Sequence, residues 1–291
     1  MPEPQIGATS TFTTNAQIVT SKTDHESLRK AAELMVDAYW LASPVSLIAT
    51  ANENCSRSGD GASSPTPSLE EVRDNLINVQ LQDFVERYDA SRRDRLLHSR
   101  LLTAVGHPTD LADGATSDRM EILGIVGMEV RICDKVSKTI HSTQESERMI
   151  VDAITGGDFS TRQQAMNTPA CIPQIVDDLL PTELSAVCVL SNLAVSPKAR
   201  RQGLATRLCK EVERLARTYC GCTSVYLEVE TINTAARKLY EEILGYGQLC
   251  EADAPAKRVH LSSGDFIEIS APTLVLSKDV TNSMQPAHTR Y

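Results

Sequence analysis

The sequence lacks any run of the roughly eighteen apolar residues that a membrane-crossing helix needs, and any early apolar segment with the length and flanks of a secretion signal. A soluble chain is therefore expected. Basic charge is in deficit: 29 Lys and Arg stand against 38 Asp and Glu, a formal net charge of −9. A nucleic-acid binder normally carries a basic surplus to neutralise phosphates, so no nucleic-acid partner is expected. The acidic balance suits a cationic partner such as an amine-bearing peptide, or serves solubility alone. Neither GxGxxG nor a glycine loop followed by Gly-Lys-Ser/Thr occurs, which removes the standard dinucleotide and P-loop fingerprints. The six histidines, His25, His98, His107, His141, His260 and His288, are scattered and form no recognisable Ser-His-Asp spacing. That argues against a covalent serine intermediate.

Eight cysteines are present, but their spread fits neither a zinc ribbon nor a disulfide framework. Small hydrophobes in a reducing, intracellular and cytoplasmic setting are the simplest reading, with no metal. Cys220 and Cys222 flank Gly221, and a metal or redox role there lacks partners in the sequence. The first 21 residues contain no Arg or Lys and include Glu3, a poor transit peptide; a plastid location after processing stays open as the alternative.

At 291 residues the chain has room for one large or two ordinary domains. Residues 1–15 read as a flexible leader. Gln17 to Thr20 reads as a strand, and Thr23-x-x-Glu26 as a capping box for a helix with Leu28, Ala32, Met35 and Tyr39 on one face. Residues 51–67 are small, polar and turn-rich, and are expected to be a disordered insertion. Ser68-x-x-Glu71 is a second capping box, with Leu69, Val72, Leu76, Val79 and Asp83 or Phe84 as the stripe beyond it. The charge-dense Arg87 to Arg100 reads as a solvated helix face or turn. Leu101 to Val105 and Met120 to Cys133 read as strands, with Gly124 and Gly127 marking a bulge or close backbone approach. Residues 134–183 include a helix near Ser142 to Ile154 and several prolines. Past residue 250, Glu251 to Lys257 reads as a polar loop, Val259–Leu261, Phe266–Ile269 and Leu274–Leu276 as strands, and 281–291 as a frayed tail.

The most informative stretch runs through residues 186–246. Ala186 to Val195 is an apolar run of the kind buried on both faces of a sheet. Arg200, Arg201, Gln202, Gly203, Leu204 and Ala205 form a basic, small-residue loop, and Leu204, Leu208, Val212, Leu215 and Tyr219 then recur as one face of a helix stopped by Gly221. Such a turn at a helix N-terminus is an anion site, because unpaired N–H groups converge there and the helix dipole adds positive potential. Val225, Leu227 and Val229 alternate with Tyr226, Glu228 and Glu230, a strand with one face free for chemistry. Asn233 caps a following helix that carries Ala236, Leu239, Tyr240 and Ile243 on one side.

This stretch resembles the coenzyme A binding core of the Gcn5-related N-acetyltransferase (GNAT) superfamily: Arg200, Gly203 and Ala205 fit its R/Q-x-x-G-x-G/A motif. YLEVETINTAARKLY is similar to bacterial ribosomal-protein alanine N-acetyltransferases and to plastid members of the superfamily. The resemblance implies an α/β fold in which a central mixed, mostly antiparallel sheet is flanked by helices. One acetyltransferase domain would span 16–280, with the acetyl-CoA-binding core at 186–246 and 134–183 as an insertion atypical of the family. It implies that Leu193 and Val195 offer backbone groups to acetyl-CoA, the Leu193 N–H polarising the thioester carbonyl. Arg201, Gln202, Gly203, Leu204, Ala205 and Thr206, with Arg200, would meet the pyrophosphate, and Asn233 would contact the pantetheine or hold the strand-to-helix turn. Glu228, twelve residues before Tyr240 as in those relatives, would be the general base, and Tyr240 the acid that protonates the departing thiolate.

The expected function is acetyl-CoA-dependent transfer to a protein amine, an N-terminal α-amine or a lysine, by direct attack in a ternary complex, with further protein contacts through the insertions. A small-amine acetyltransferase and a non-catalytic acetyl-CoA-binding scaffold are the alternatives. One departure from the family pattern stands out. The segment EEILGY after Tyr240 is one residue longer than the usual Y-E-x-x-G-F, which threatens the register of the following strand.

Overall fold

A computed structural model describes residues 16–21, 24–41, 68–89, 97–106, 120–155, 172–260 and 265–281. The expectations for 1–15, 51–67 and most of 281–291 lie outside the described residues.

Alternating and apolar segments pair into one eight-stranded sheet. Its strands are β1 (Gln17–Thr20), β2 (Ser99–Gly106), β3 (Glu121–Asp134), β4 (Thr139–Ile140), β5 (Leu184–Val195), β6 (Ser224–Glu230), β7 (Gly247–His260) and β8 (Asp265–Asp279). The order is β1-β2-β3-β5-β6-β8-β7, with β4 attached to the side of β3. Neighbours are antiparallel except β5 and β6. The mixed, mostly antiparallel sheet flanked by helices is the architecture expected from the sequence.

Two helical layers cover it. Helix α1 (His25–Met35), extended by a π turn at Val36–Trp40, packs with α2 (Leu69–Tyr88) on one face, burying Leu28, Ala32, Met35, Leu76 and Phe84 with Leu101, Ile125 and Ala194 of the sheet. Helices α3 (Thr143–Thr155), α4 (Ile172–Leu179) and α5 (Leu204–Thr218) belong to the larger core with Val130, Ile132, Leu190 and Leu227. The segment read as an atypical insertion thus supplies part of the main core through Ile150, Ile154, Ile172 and Val176.

Several local readings are corrected. Helix α1 is capped by Asp24, whose carboxylate accepts from the Ser27 N–H at 2.9 Å, rather than by a box starting one residue earlier. The Ser68–Glu71 capping box is present as read. The buried stripe of α2 nevertheless runs through Val72, Leu76, Gln80, Phe84 and Tyr88, leaving Leu69 73% exposed and Val79 at the surface. Glu251 to Lys257, read as a polar loop, is strand, because β7 and β8 pair without a break from Gly247↔Ser277 to His260↔Asp265, apart from one register shift at Gln248/Cys250. β6 pairs β8 only from Thr273 to Asp279, so the distal half of this hairpin runs past the end of β6. Cross-strand pairing there overrode the polar composition.

The extra residue after Tyr240 is absorbed locally. Helix α6 (Thr234–Arg237) widens into a π turn at Lys238–Ile243, closed by the Leu244 N–H on the Leu239 carbonyl at 3.0 Å. A π turn takes up one extra residue within a helix, and β7 itself carries a register shift against β8 at Gln248/Cys250. Ile243, read on the same side as Tyr240, is 58% exposed.

Candidate functional site

β5 and β6 run parallel, yet they pair only at Cys188↔Val225 and Val189↔Tyr226. Beyond those residues they diverge and leave a cleft of about 410 Å³. Leu190, Ser191, Asn192 and Leu193 form one wall, and Glu228, Val229 and Glu230 the other. Asn233, Ala236 and Tyr240 sit at one end, and Met35, Tyr39 and Trp40 reach in from α1 and its π turn.

The β5 wall is bent by a bulge. Gly127 pairs with Ser191 and Ile125 with Ala194, so β5 uses three residues where β3 uses two. Asn192 takes the left-handed conformation, φ 51°. A bulge of this kind leaves its extra residue out of the ladder and re-aims its neighbours. Neither Asn192 nor Leu193 has a pairing partner on β3, and β5 has already parted from β6. The Leu193 backbone is thereby free to face the cleft.

On β6, period-two alternation buries Val225, Leu227 and Val229, while Glu228 is exposed on the opposite face. Tyr240 is only 6% exposed but lines the same cleft. Burial, with lesser contributions from Cys209 and Tyr39, raises its phenol well above the ordinary tyrosine range. The hydroxyl therefore stays protonated at neutral pH. Asn233 caps α6 through its Oδ1, which accepts from the Ala236 N–H at 3.1 Å.

Past the cleft, Val195 leads through a short 3-10 turn, Pro197–Ala199, to the basic loop and α5. Arg201 and Gly203 are both left-handed, with φ of 64° and 74°. The α5 ladder begins with the Arg207 N–H on the Gly203 carbonyl at 3.1 Å, and no side chain of the N-cap residue caps the turn. A Cβ built on Gly203 would meet nothing within 4 Å. An uncapped helix start with open space over its glycine has the donors and the room that a pyrophosphate requires. Arg200, an exposed residue, donates to the Ala38 carbonyl at 2.5 Å and to the Val195 carbonyl at 3.3 Å. Its guanidinium ties the loop to the π turn after α1.

Leu193, Glu228, Asn233 and Tyr240, singled out from the sequence, are thus brought together around one cleft, whereas Val195 and Arg200 to Thr206 lie at the β5–α5 connection beyond its lining. Missed in the sequence were the aromatic pair Tyr39 and Trp40, with ring centroids 4.9 Å apart, and a polar network beneath the bulge. The Trp40 indole donates to Gln80 Oε1 at 3.0 Å, and Arg73 holds Asp37 by two bonds of 2.7 and 2.8 Å, so α2 fixes this π turn. The chain's only tryptophan, set among helix-periodic apolar residues, reads as core until the fold turns it toward the cleft.

At the centre of the network is Glu129, with no exposed side-chain surface. Arg131 Nη2 lies 2.8 Å and Arg87 Nη1 3.2 Å from its carboxylate, and the hydroxyls of Thr143 and Ser191 donate to it at 2.8 and 3.2 Å. Burial alone would raise the carboxyl, but the charges of Arg131 and Arg87, with these hydrogen bonds, hold it at about 2. Arg87, read as one of a solvated charge run, is instead paired with Asp83 and Glu129.

Residues 177–246 match the model of the acetyltransferase (GNAT) family. No curated protein sequence matches the chain. Among solved structures, the ribosomal-protein-S18-alanine N-acetyltransferase of Escherichia coli is 14% identical, with 95% of this chain and 99% of that one covered and a TM-score of 0.37. An acetyltransferase of Salmonella typhimurium, solved with its cofactor acetyl-CoA, is 12% identical over 94% of this chain and 99% of that one, TM-score 0.38. The polyamine N-acetyltransferase of Drosophila melanogaster is 14% identical over 90% of this chain and 100% of that one, TM-score 0.41. Among the described residues, no helix is long and apolar enough to cross a membrane.

Proposed function

Taking the chain as an acetyl-CoA-dependent acetyltransferase of the GNAT family, we propose that it moves the acetyl group to a protein amine, an N-terminal α-amine or a lysine, by direct attack. The observation that carries this reading is the cleft itself: an exposed carboxylate, Glu228, and a buried phenol, Tyr240, line one opening whose third side is the bulged backbone at Leu193.

The roles rest on what each atom can do. The acceptor amine nitrogen bonds to the thioester carbonyl carbon while its proton passes to Glu228. Negative charge that develops on the carbonyl oxygen is met by the Leu193 N–H, the kind of fixed dipole that lowers such barriers most. As the C–S bond breaks, the sulfur takes the proton of Tyr240, and solvent returns both side chains to their starting states after release. A phenol with a raised pKa is a weak acid toward a thiolate, so collapse of the tetrahedral species has to drive that transfer. Glu228 matters most for lysine, whose amine, with a pKa near ~10.4, must lose a proton first, and less for an α-amine near ~8. The backbone of Arg201 to Thr206 would hold the pyrophosphate and Asn233 the pantetheine arm. The family's co-substrate supplies an activated thioester; the protein's part is to bind, orient and move protons.

A panel of acceptors tests the reading: a peptide with a free N-terminus, the same peptide N-terminally blocked but bearing one lysine, and spermidine. Acetylation of either peptide is expected. Acetylation of spermidine alone would shift the reading to small amines, and acetyl-CoA binding without any transfer would favour a scaffold.

A further inference from the structure

The bulge on β5 is fastened from behind. Asn192 Nδ2 donates to the Tyr88 hydroxyl at 2.8 Å. Tyr88 Oη and Ser191 Oγ are 3.2 Å apart, and Ser191 Oγ donates to Glu129 Oε1 at 3.2 Å. Each hydroxyl has one proton, so the direction of the chain is fixed. Ser191 spends its proton on the carboxylate, hence Tyr88 donates to Ser191 and is left with lone pairs for Asn192. The bonds run one way, Asn192 to Tyr88 to Ser191 to Glu129, ending on an anion held by two arginines. Such a chain polarises each member in turn, and it is buried at Tyr88, 2% exposed, and at Glu129, 0% exposed.

Tyr88 can reach this place because residue 127 is glycine. A Cβ there would overlap the Tyr88 hydroxyl and stand 2.8 Å from Ser191 Oγ. The close approach of helix α2 to β3 therefore delivers a hydroxyl from the last residue of α2 to the underside of the bulge. Asn192 is the residue that needs it: its φ of 51° is disfavoured for most side chains, and the bond to Tyr88 ties its amide in place. The next residue is Leu193, whose N–H is the donor in the proposed reaction.

We infer that Tyr88 is a positioning residue for acetyl transfer, holding Asn192 in its left-handed bulge, through the chain anchored on Glu129, so that the Leu193 N–H faces the thioester carbonyl. This inference rests on the proposed acetyltransferase reading. Tyr88 touches no reacting atom; its effect passes through the backbone of Asn192 and Leu193. A displaced oxyanion donor acts on the transition state more than on ground-state binding, so the loss belongs in kcat.

The test is steady-state kinetics with acetyl-CoA and the best peptide of the panel for wild type, Tyr88→Phe, Asn192→Gly and the double variant, with thermal melting of each. Tyr88→Phe is expected to lower kcat by about 10-fold or more while the KM for acetyl-CoA changes by less than about 3-fold. Asn192→Gly removes the same bond and leaves a residue with no restraint to either sign of φ, and it carries the test if Tyr88→Phe melts below the assay temperature. It is expected to lose kcat likewise, and the double variant should be no worse than the poorer single one. Wild-type kcat in either single variant, or losses that multiply in the double, would overturn the inference while leaving the acetyltransferase reading intact. A wild type that transfers to no amine would overturn both.

Discussion

Replacing Gly127 with alanine adds one methyl group in the middle of β3 and should be among the most damaging small substitutions in the chain. The built Cβ overlaps the Tyr88 hydroxyl and lies 2.8 Å from Ser191 Oγ and 3.0 Å from Tyr88 Cζ. Tyr88 cannot swing aside cheaply, since its ring is buried and packs edge-on against Phe84 with centroids 5.7 Å apart. Overpacking a filled core costs about 1–3 kcal/mol. Moving the hydroxyl off Asn192 and Ser191 leaves buried polar groups unpaired, for about 1–3 kcal/mol more. Together these come to about 2–6 kcal/mol, a large share of the about 5–15 kcal/mol that stabilises a typical domain. Urea unfolding at neutral pH measures it, and repeating the substitution in a Tyr88→Phe background isolates the cause. Without the hydroxyl the nearest ring contact relaxes to the 3.0 Å of Cζ, so the second alanine should cost at least about 1 kcal/mol less than the first. A Gly127→Ala protein within about 0.5 kcal/mol of wild type, the usual range for a surface change, would refute the packing of Tyr88 over this glycine.

Glu129 and Gly203 carry two further predictions. The Glu129 carboxyl sits at about 2 in the folded chain against 4.5 as its ordinary value. The unfolded chain therefore binds more protons between those values, and this contribution is complete above about 4.5 and lost as pH falls toward about 2. At about 1.4 kcal/mol per pKa unit it amounts to about 3 kcal/mol. Unfolding titrations of wild type beside Glu129→Gln should converge by that amount as the pH falls through this window; parallel curves would contradict the assignment. Gly203→Ala should cost about 1 kcal/mol of stability through its positive φ and, because its Cβ enters only open space, weaken acetyl-CoA binding by about 10-fold or more through the phosphate contact. Isothermal titration of acetyl-CoA decides, and unchanged affinity would remove the loop from the binding site.

Legible in the sequence were features that local chemistry determines. The 3.6-residue recurrence from Leu204 to Leu215, the alternation through Val225 to Val229 and the Ser68–Glu71 cap each appear as read. Glu228, Tyr240, Asn233 and Leu193 converge on one cleft because a strand alternates and a helix succeeds it at fixed spacing. Illegible were features that arise only when distant segments meet. Tyr88 and Asn192 are 104 residues apart, and nothing in either neighbourhood announces their bond. Glu129 looks like one polar residue in an apolar strand until β2 begins beside it at Ser99 and the start of α3, with Thr143, closes over it. The polar run at Glu251 to Lys257 became strand because its partner β8 pairs along its whole length. The extra residue after Tyr240 was visible, but the π turn at Lys238–Ile243 and the register shift at Gln248/Cys250 that follow it were not.

The central claim is that this cleft catalyses acetyl transfer with Glu228 as base and Tyr240 as acid. Its most direct measurement is the turnover of an acceptor peptide with acetyl-CoA by wild type, Glu228→Gln and Tyr240→Phe, monitored by mass of the acetylated product across pH. Both variants should lose kcat by about 100-fold or more, with acetyl-CoA affinity retained. The wild-type rise of rate with pH should be smaller for an α-amine than for a lysine acceptor. Equal turnover by all three proteins would contradict the central claim.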